Sequence, residues 1–454
     1  MTVSTDTPAP AGFAGFGSKS YRGFVLAMLL VVYTFNFIDR VAIDILQEPI
    51  KQEFGLVDAQ LGLLKGLAFA FLYTILGIPL ARLAEKHNRV TILSVCVGLW
   101  SIFTALCGMA GSFVQLVAAR VGVGIGEAGC TPPAQSIIAD YFPANRRATA
   151  LSIYSMGIHF GSMIAAIGGA WIATEYGWRV TFIVLGIPGI LLAVLVKMSV
   201  REPPRTASAV ATPSFAETLR TLGGKPTFWH MAMGSAITSF VGYGVFGFNI
   251  PFLMRTHELP LLQASQMTGV VFGVFAAIGT FTSGFLADRM SKRHPTALAW
   301  LPAVGLIWAT PLYLFAYSSP SLAMAIGLIV VGIVGHYFYL GPMYTVTTSV
   351  VHPNMRATSV AILLFVVNMI GYALGPPFVG WVSDVMADRA LASDALSVEL
   401  CRFPDRLSEV QAATCSAGVA QGLQYAMMIG VCFFLWAAVH FLLAGRTLRR
   451  DTVS

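Results

Sequence analysis

Charge is scarce in this sequence. Of its 454 residues, 56% are hydrophobic and only 11% are Asp, Glu, Lys or Arg. Soluble domains carry about 25% charged residues, so a chain this poor in charge could not cover a water-facing surface. With a mean hydropathy of +0.74, the composition is that of a polytopic membrane protein. Other absences narrow the class. There is no Gly-rich phosphate loop, which argues against an ATP-driven pump. There is no nucleophile–base set and no metal-ligand spacing, which argues against a membrane enzyme. Residues 1–20 (MTVSTDTPAPAGFAGFGSKS) have no basic start followed by an apolar core. No signal peptide is expected there, only a flexible cytoplasmic tail. Cysteines number six, and Cys96, Cys107, Cys130 and Cys432 fall in apolar runs. Cys401 and Cys415 share a loop, where a disulfide and two free thiols are both open readings.

Apolar runs are what the chain has in abundance. Windows of about 20 residues mark membrane-crossing segments. They give twelve candidate spans, at 22–47, 58–82, 90–110, 113–140, 147–173, 179–198, 227–254, 264–287, 296–317, 321–350, 357–386 and 417–444. Backbone in lipid must satisfy its own hydrogen bonds, so the expected fold is all-α. The net charge of +7 does not call for nucleic acid, because the basic residues sort by side. With a cytoplasmic N-terminus, most Lys and Arg face the cytoplasm, as the positive-inside rule requires. The exceptions are Arg40, Lys51, Lys65, Arg120, Arg179, Arg255, Arg389, Arg402 and Arg406, of which Arg40 and Arg120 are expected within spans.

The chain repeats itself. ARLAEKHNR (81–89) follows span 2, and GFLADRMSK (284–292) follows span 8. RATA (147–150) follows span 4, RATS (356–359) follows span 10, and Pro133 and Pro342 hold matching places in those spans. The expected organisation is a tail (1–21), a six-helix bundle (22–198), a cytoplasmic linker (199–226), a second six-helix bundle (227–445) and a cytoplasmic tail (446–454). Six is even, so both halves start on the same side. Such parallel repeats suit rocking of one bundle against the other around a central site. GFLADRMSKR resembles the loop signature of the major facilitator superfamily, and the first copy resembles it with Ala81 and Glu85 in place of Gly and Asp. NFIDR (36–40), RVGVGIGEAG (120–129) and SIIADYF (136–142) resemble the spinster family, in a bacterial member. That resemblance implies a bacterial inner-membrane transporter with both termini cytoplasmic. Eukaryotic relatives are associated with lysolipid export, including sphingosine-1-phosphate, and a bacterial member is expected to move another lysolipid or something unrelated.

Residues 33–46 read YTFNFIDRVAIDIL and sit inside span 1. A charge at such a position costs about 2.5–3.5 kcal/mol or more. Low dielectric disfavours the carboxylate of Asp39, which makes it able to take and release a proton. Asn36, at i−3, is placed to hydrogen-bond it, and Arg40 and Asp44, at i and i+4, are placed to pair. Glu127 is the second intramembrane acid, with Arg120 two turns earlier. The resemblance puts spans 1 and 4 along one cavity. Asp39 and Glu127 are therefore expected to couple protons, with Arg40, Arg120, Asn36 and Asp44 as a charge network or head-group site. A static polar cluster is the alternative, as is Arg120 serving only as a fixed partner of Glu127.

The second half lacks these charges and offers aromatics instead. Tyr243, Phe246, Asn249, His336 and Tyr339 are the expected cavity wall, with simple packing as the alternative for each. The resemblance implies that Glu85, Lys86, Arg89, Asp288, Arg289 and Lys292 form a cytoplasmic gate, against plain positive-inside anchoring. The glycines of span 5 (Gly157, Gly161, Gly168, Gly169) and of span 11 (Gly371, Gly375, Gly380) read as packing or hinge positions. The expected function is proton-coupled transport of an amphipathic lysolipid-like anion by alternating access. Carriage of a small organic or sugar acid is one alternative, and a non-transporting receptor is another. No cofactor beyond the coupling proton, no nucleic acid and a monomer in the bilayer are expected.

Overall fold

The computed structural model describes residues 15–204 and 214–453. Among these the regular structure is entirely helical. Eleven of the described helical stretches are long and apolar enough to cross a membrane, and one of them, Thr149–Ser199, is broken at Gly177 into two, which gives twelve helices numbered here as the spans. They are α1 (Lys19–Phe54), α2 (Asp58–Ala84), α3 (Arg89–Gly108), α4 (Phe113–Tyr141), α5 (149–176), α6 (178–199), α7 (Pro226–Thr256), α8 (Leu261–Ser291), α9 (Ala297–Ser318), α10 (Leu322–Ser349), α11 (Thr358–Asp394) and α12 (Glu409–Asp451). α5 and α6 run together as one helical stretch until Gly177, whose φ of 82° turns the chain back. Only glycine adopts that backbone without strain.

Several helices outrun their apolar cores. α1 starts at Lys19 because Ser18 accepts from the Tyr21 N–H at 3.2 Å, and it ends at Gly55 in the left-handed region. α12 starts at Glu409 because Ser408 and Gln411 form a reciprocal cap. Windows of hydropathy register only the lipid-embedded part, so polar caps lengthen helices beyond them. Within the expected linker, Phe215–Gly223 is a short amphipathic helix started by Ser214. The outward surface is apolar, with Trp171, Leu191, Phe281, Phe285, Trp308 and Phe315 exposed where lipid would cover them.

The two halves pack alike. In the first, α1 packs on α5 through Gly157 and Gly161, against Tyr33, Thr34 and Phe37. In the second, α7 packs on α11 through Gly371 and Gly375, against Ser239 and Phe240. α3 pairs with α6 as α9 pairs with α12. A π-helical turn interrupts α5 at Ala165–Gly169 and α11 at Asn368–Tyr372, with a third in α8 at Val271–Phe275. Between the halves, α2 crosses α11 where Gly62 and Gly66 meet the backbone of Ala373, Pro376 and Pro377. α5 crosses α8 where Gly269 meets Ala166. Both crossings lie toward the end away from the termini, called the far end below. The cavity between the halves is therefore shut at the far end.

Candidate functional site

α1 and α4 bring two acids and two bases together midway along the helices. Arg40 donates to Glu127 Oε2 from Nη2 at 2.8 Å and from Nε at 3.2 Å. Phe37, Phe69, Tyr73 and Tyr372 surround the guanidinium, with ring centroids 4.8–5.9 Å away. Such rings stabilise a cation that is largely withdrawn from water. Asp39 is buried with the Thr104 hydroxyl and the Trp100 indole N–H beside its carboxylate, and it forms no ion pair among the described residues. Arg120 is fully buried, donates from Nη1 to the Asp39 carbonyl at 3.4 Å, and leaves Nε and Nη2 without a protein partner. One ion pair is thus made, and a second acid and base stand adjacent with no ion pair between their side chains. Charges buried in a span are costly and normally paired, which sets Asp39 and Arg120 apart from the bonded pair.

Three pairings that spacing offered, one of them only as an alternative, are not the ones made. Arg120 is not a partner of Glu127, because two helical turns separate them by about 10 Å along the axis. Arg40 reaches Glu127 from the neighbouring helix instead. Nor does Arg40 pair with Asp44, whose Oδ1 lies 3.0 Å from Lys65 Nζ on α2. Asn36 is buried beside Glu127 rather than bonded to Asp39. Lys65, expected among the outward-facing residues, is buried inside α2. Its charge was legible, but only the helix crossing shows which acid it meets.

The aromatic wall divides. Tyr243 is exposed to the cavity and stacks on Tyr372 with centroids 4.2 Å apart. Phe246, His336 and Tyr339 are buried in an aromatic stack with Tyr313 and Phe434, so they pack rather than line. Asn249 is buried and donates to Thr268 Oγ1 of α8 at 3.2 Å. Tyr33, Tyr73 and Tyr344, not singled out from sequence, group with Tyr243 around Arg40. They come from four different helices, α1, α2, α7 and α10, so no single stretch of sequence displays them together.

At the far end a second charge cluster, unforeseen from sequence, joins the halves. Arg255 of α7 donates to Asp58 of α2 at 2.7 and 2.9 Å, and to Glu48 of α1 at 3.0 Å. Lys51 adds a 2.6 Å ion pair to Asp58, and Ser383 of α11 donates to it at 2.7 Å. Asp384 accepts from the Asp58 and Ala59 N–H groups at 2.9 and 2.7 Å, capping α2 from the other half. Beside this lock lies a cavity of about 600 Å³, walled partly by the loop that the Cys401–Cys415 disulfide closes. The two thiols are bonded, with Cα atoms 5.5 Å apart.

At the terminal end Lys86, Asp288, Arg289 and Lys292 are exposed, and the Glu85 side chain lies outside the described residues. Arg89, expected in the gate, makes its bonds within one half of the molecule. It is buried against Asp140 at 2.5 Å, Glu202 at 2.6 Å and Ser136 Oγ at 2.9 Å, tying α3, α4 and the linker within one half.

Comparison with known proteins agrees with this architecture. The Major Facilitator Superfamily profile matches residues 29–376. A solved bacterial homologue of the human lysosomal transporter spinster, in an inward-facing and unoccupied conformation, is 42% identical. The match covers 96% of this chain and 100% of that one, with a TM-score of 0.89. An MFS-type efflux pump of Mycolicibacterium smegmatis is 32% identical over 371 residues, covering 80% of this chain and 85% of that protein. A probable L-galactonate transporter of Escherichia coli is 27% identical over 307 residues, covering 64% of this chain and 67% of its own. The chain belongs to the major facilitator superfamily, in its spinster family, and is an integral membrane transporter rather than an enzyme.

Proposed function

We propose that this protein is a proton-coupled secondary transporter that works by alternating access and moves an amphipathic, lysolipid-like anion. The observation that carries the proposal is the buried quartet of Asp39, Arg40, Arg120 and Glu127, in which one acid–base pair is bonded and the other is not. Protonating Glu127 would release Arg40, which already borders the cavity, to take an anionic head group. Asp39 and Arg120 would supply the compensating charge. Tyr33, Tyr73, Tyr243 and Tyr344 offer apolar faces with polar tips, which suits a cargo with an acyl tail and a polar head. The chain is placed in a bacterial inner membrane with both termini in the cytoplasm, as a monomer with no cofactor but the proton. Exposed bases at the terminal end favour that orientation.

A second reading is transport of a small sugar acid. It is favoured by the likeness to a protein named as a probable L-galactonate transporter, and Arg40 would bind a carboxylate as well as a phosphate. Proton coupling is tested with distance probes at the terminal end, on Arg146→Cys and Arg293→Cys with Cys432→Ser. The wild-type distance distribution is expected to shift with pH, and Asp39→Asn/Glu127→Gln to abolish the shift. A double variant that still responds to pH overturns the quartet as the coupling site.

A further inference from the structure

We propose that Lys65 is a positioning residue of the transport cycle, a latch that holds the far end shut by donating from α2 to the Gly247 carbonyl of α7. The origin of the latch is Pro251. In a regular helix the Gly247 carbonyl accepts from the N–H four residues on, but residue 251 is proline and has none. α7 tightens there into a 3-10 turn at Phe246–Phe248. The carbonyl is taken up by the other half of the molecule: Gln47 Nε2 donates to it at 2.9 Å and Lys65 Nζ donates to it as well. Lys65 Nζ also reaches Asp44 Oδ1 at 3.0 Å and Gln47 Oε1 at 3.2 Å. Three ammonium donors thus meet three acceptors, two in the first half and one in the second.

The ammonium also lies 4.4 Å from the Phe248 ring centroid, again across the divide. Lys65 is buried, and a buried ammonium this fully paired is lost only at a cost. When the far end opens, α7 must leave α1 and α2, so the bond to Gly247 breaks while the bonds to Asp44 and Gln47 can persist. Lys65 therefore biases the equilibrium between the two cavity openings without belonging to the coupling quartet. Of the latch residues, Asp44 has the greatest reach into the cavity, with a third of its side chain exposed. Cargo that engages Asp44 would weaken the hold on Lys65.

The latch rests on the alternating-access reading, and one experiment separates the two. Spin labels are placed at the far end on Met109→Cys and Ser318→Cys, with Cys432→Ser, and their distance is measured in nanodiscs across pH. Lys65→Met/Asp44→Asn removes the latch without leaving a charge alone. Gly247→Ala leaves both charges and crowds the ammonium, since a Cβ there would sit 2.8 Å from Lys65 Nζ. Both variants are expected to raise the ratio of open to closed far ends about tenfold, which corresponds to about 1.4 kcal/mol. If the wild type interconverts and both variants keep its distribution, the latch is wrong and alternating access stands. If the wild type shows one far-end distance at every pH, alternating access fails and the latch falls with it.

Discussion

Replacing Arg255 with Leu should unlock the far end. Arg255 supplies the charge-assisted bonds that bind α7 to Glu48 and Asp58, and both carboxylates are almost wholly shielded. Removing one partner of a buried ion pair costs about 3–5 kcal/mol, mostly because the remaining charge is stranded. In the closed state Asp58 would keep Lys51 and the Ser383 hydroxyl, and Glu48 would lose the arginine that pairs with it. Opening the far end returns both carboxylates to water, so the cost falls on closure rather than on folding. Because Lys51 still compensates Asp58, the lower bound of about 3 kcal/mol is the appropriate one, and it shifts the ratio of open to closed about 150-fold. The assay is the distance between labels at Met109→Cys and Ser318→Cys, compared for Arg255→Leu and Arg255→Lys. The long distance should dominate in the Leu variant, and the Lys variant should fall between. A Leu variant that stays closed would mean that helix packing around Gly62 and Pro376, not the charge cluster, holds the far end.

Other consequences are smaller but specific. Arg40→Met should remove the Glu127 pair and cut initial uptake at least tenfold, whereas Arg40→Lys should retain part of it; equal loss in both would place the value of Arg40 in its planar fork rather than its charge. Asp384→Ala removes the cap that α11 provides to α2, and should lower stability by about 1 kcal/mol in thermal unfolding, as lost N-caps do. Replacing Cys401 and Cys415 together by Ser opens a loop with a sequence separation of 14. Loops near that length lose about 3 kcal/mol of denatured-state constraint, so the melting temperature should drop while uptake is retained.

The spans, the internal repeat and the two intramembrane acids were legible in the sequence, each for a local reason. Twenty apolar residues, a loop signature that occurs twice, and Asp39 or Glu127 amid apolar neighbours are all visible along one strand of text. Partners were not. Arg40 could face Asp44 by spacing, yet α4 brings Glu127 closer, and Asp44 goes to Lys65 on α2. Lys65 stands near the edge of its span, where a base usually marks the interface, and the partners that surround it lie on α1 and α7. Arg255, Glu48 and Asp58 are scattered over three helices and read singly as ordinary flanking charges. His336 was ambiguous because a lone histidine on a helix gives no hint of its neighbours; five aromatic rings around it make it a packing residue.

The most direct test is uptake into proteoliposomes under an imposed pH gradient, with a labelled lysophospholipid and labelled sugar acids run side by side. Lysolipid movement that depends on the gradient and stops in Asp39→Asn is the predicted result. Movement of a sugar acid alone would contradict the lipid assignment and reduce the cavity tyrosines to packing. Lysolipid movement untouched by the gradient would contradict the proton-coupled role of Asp39 and Glu127.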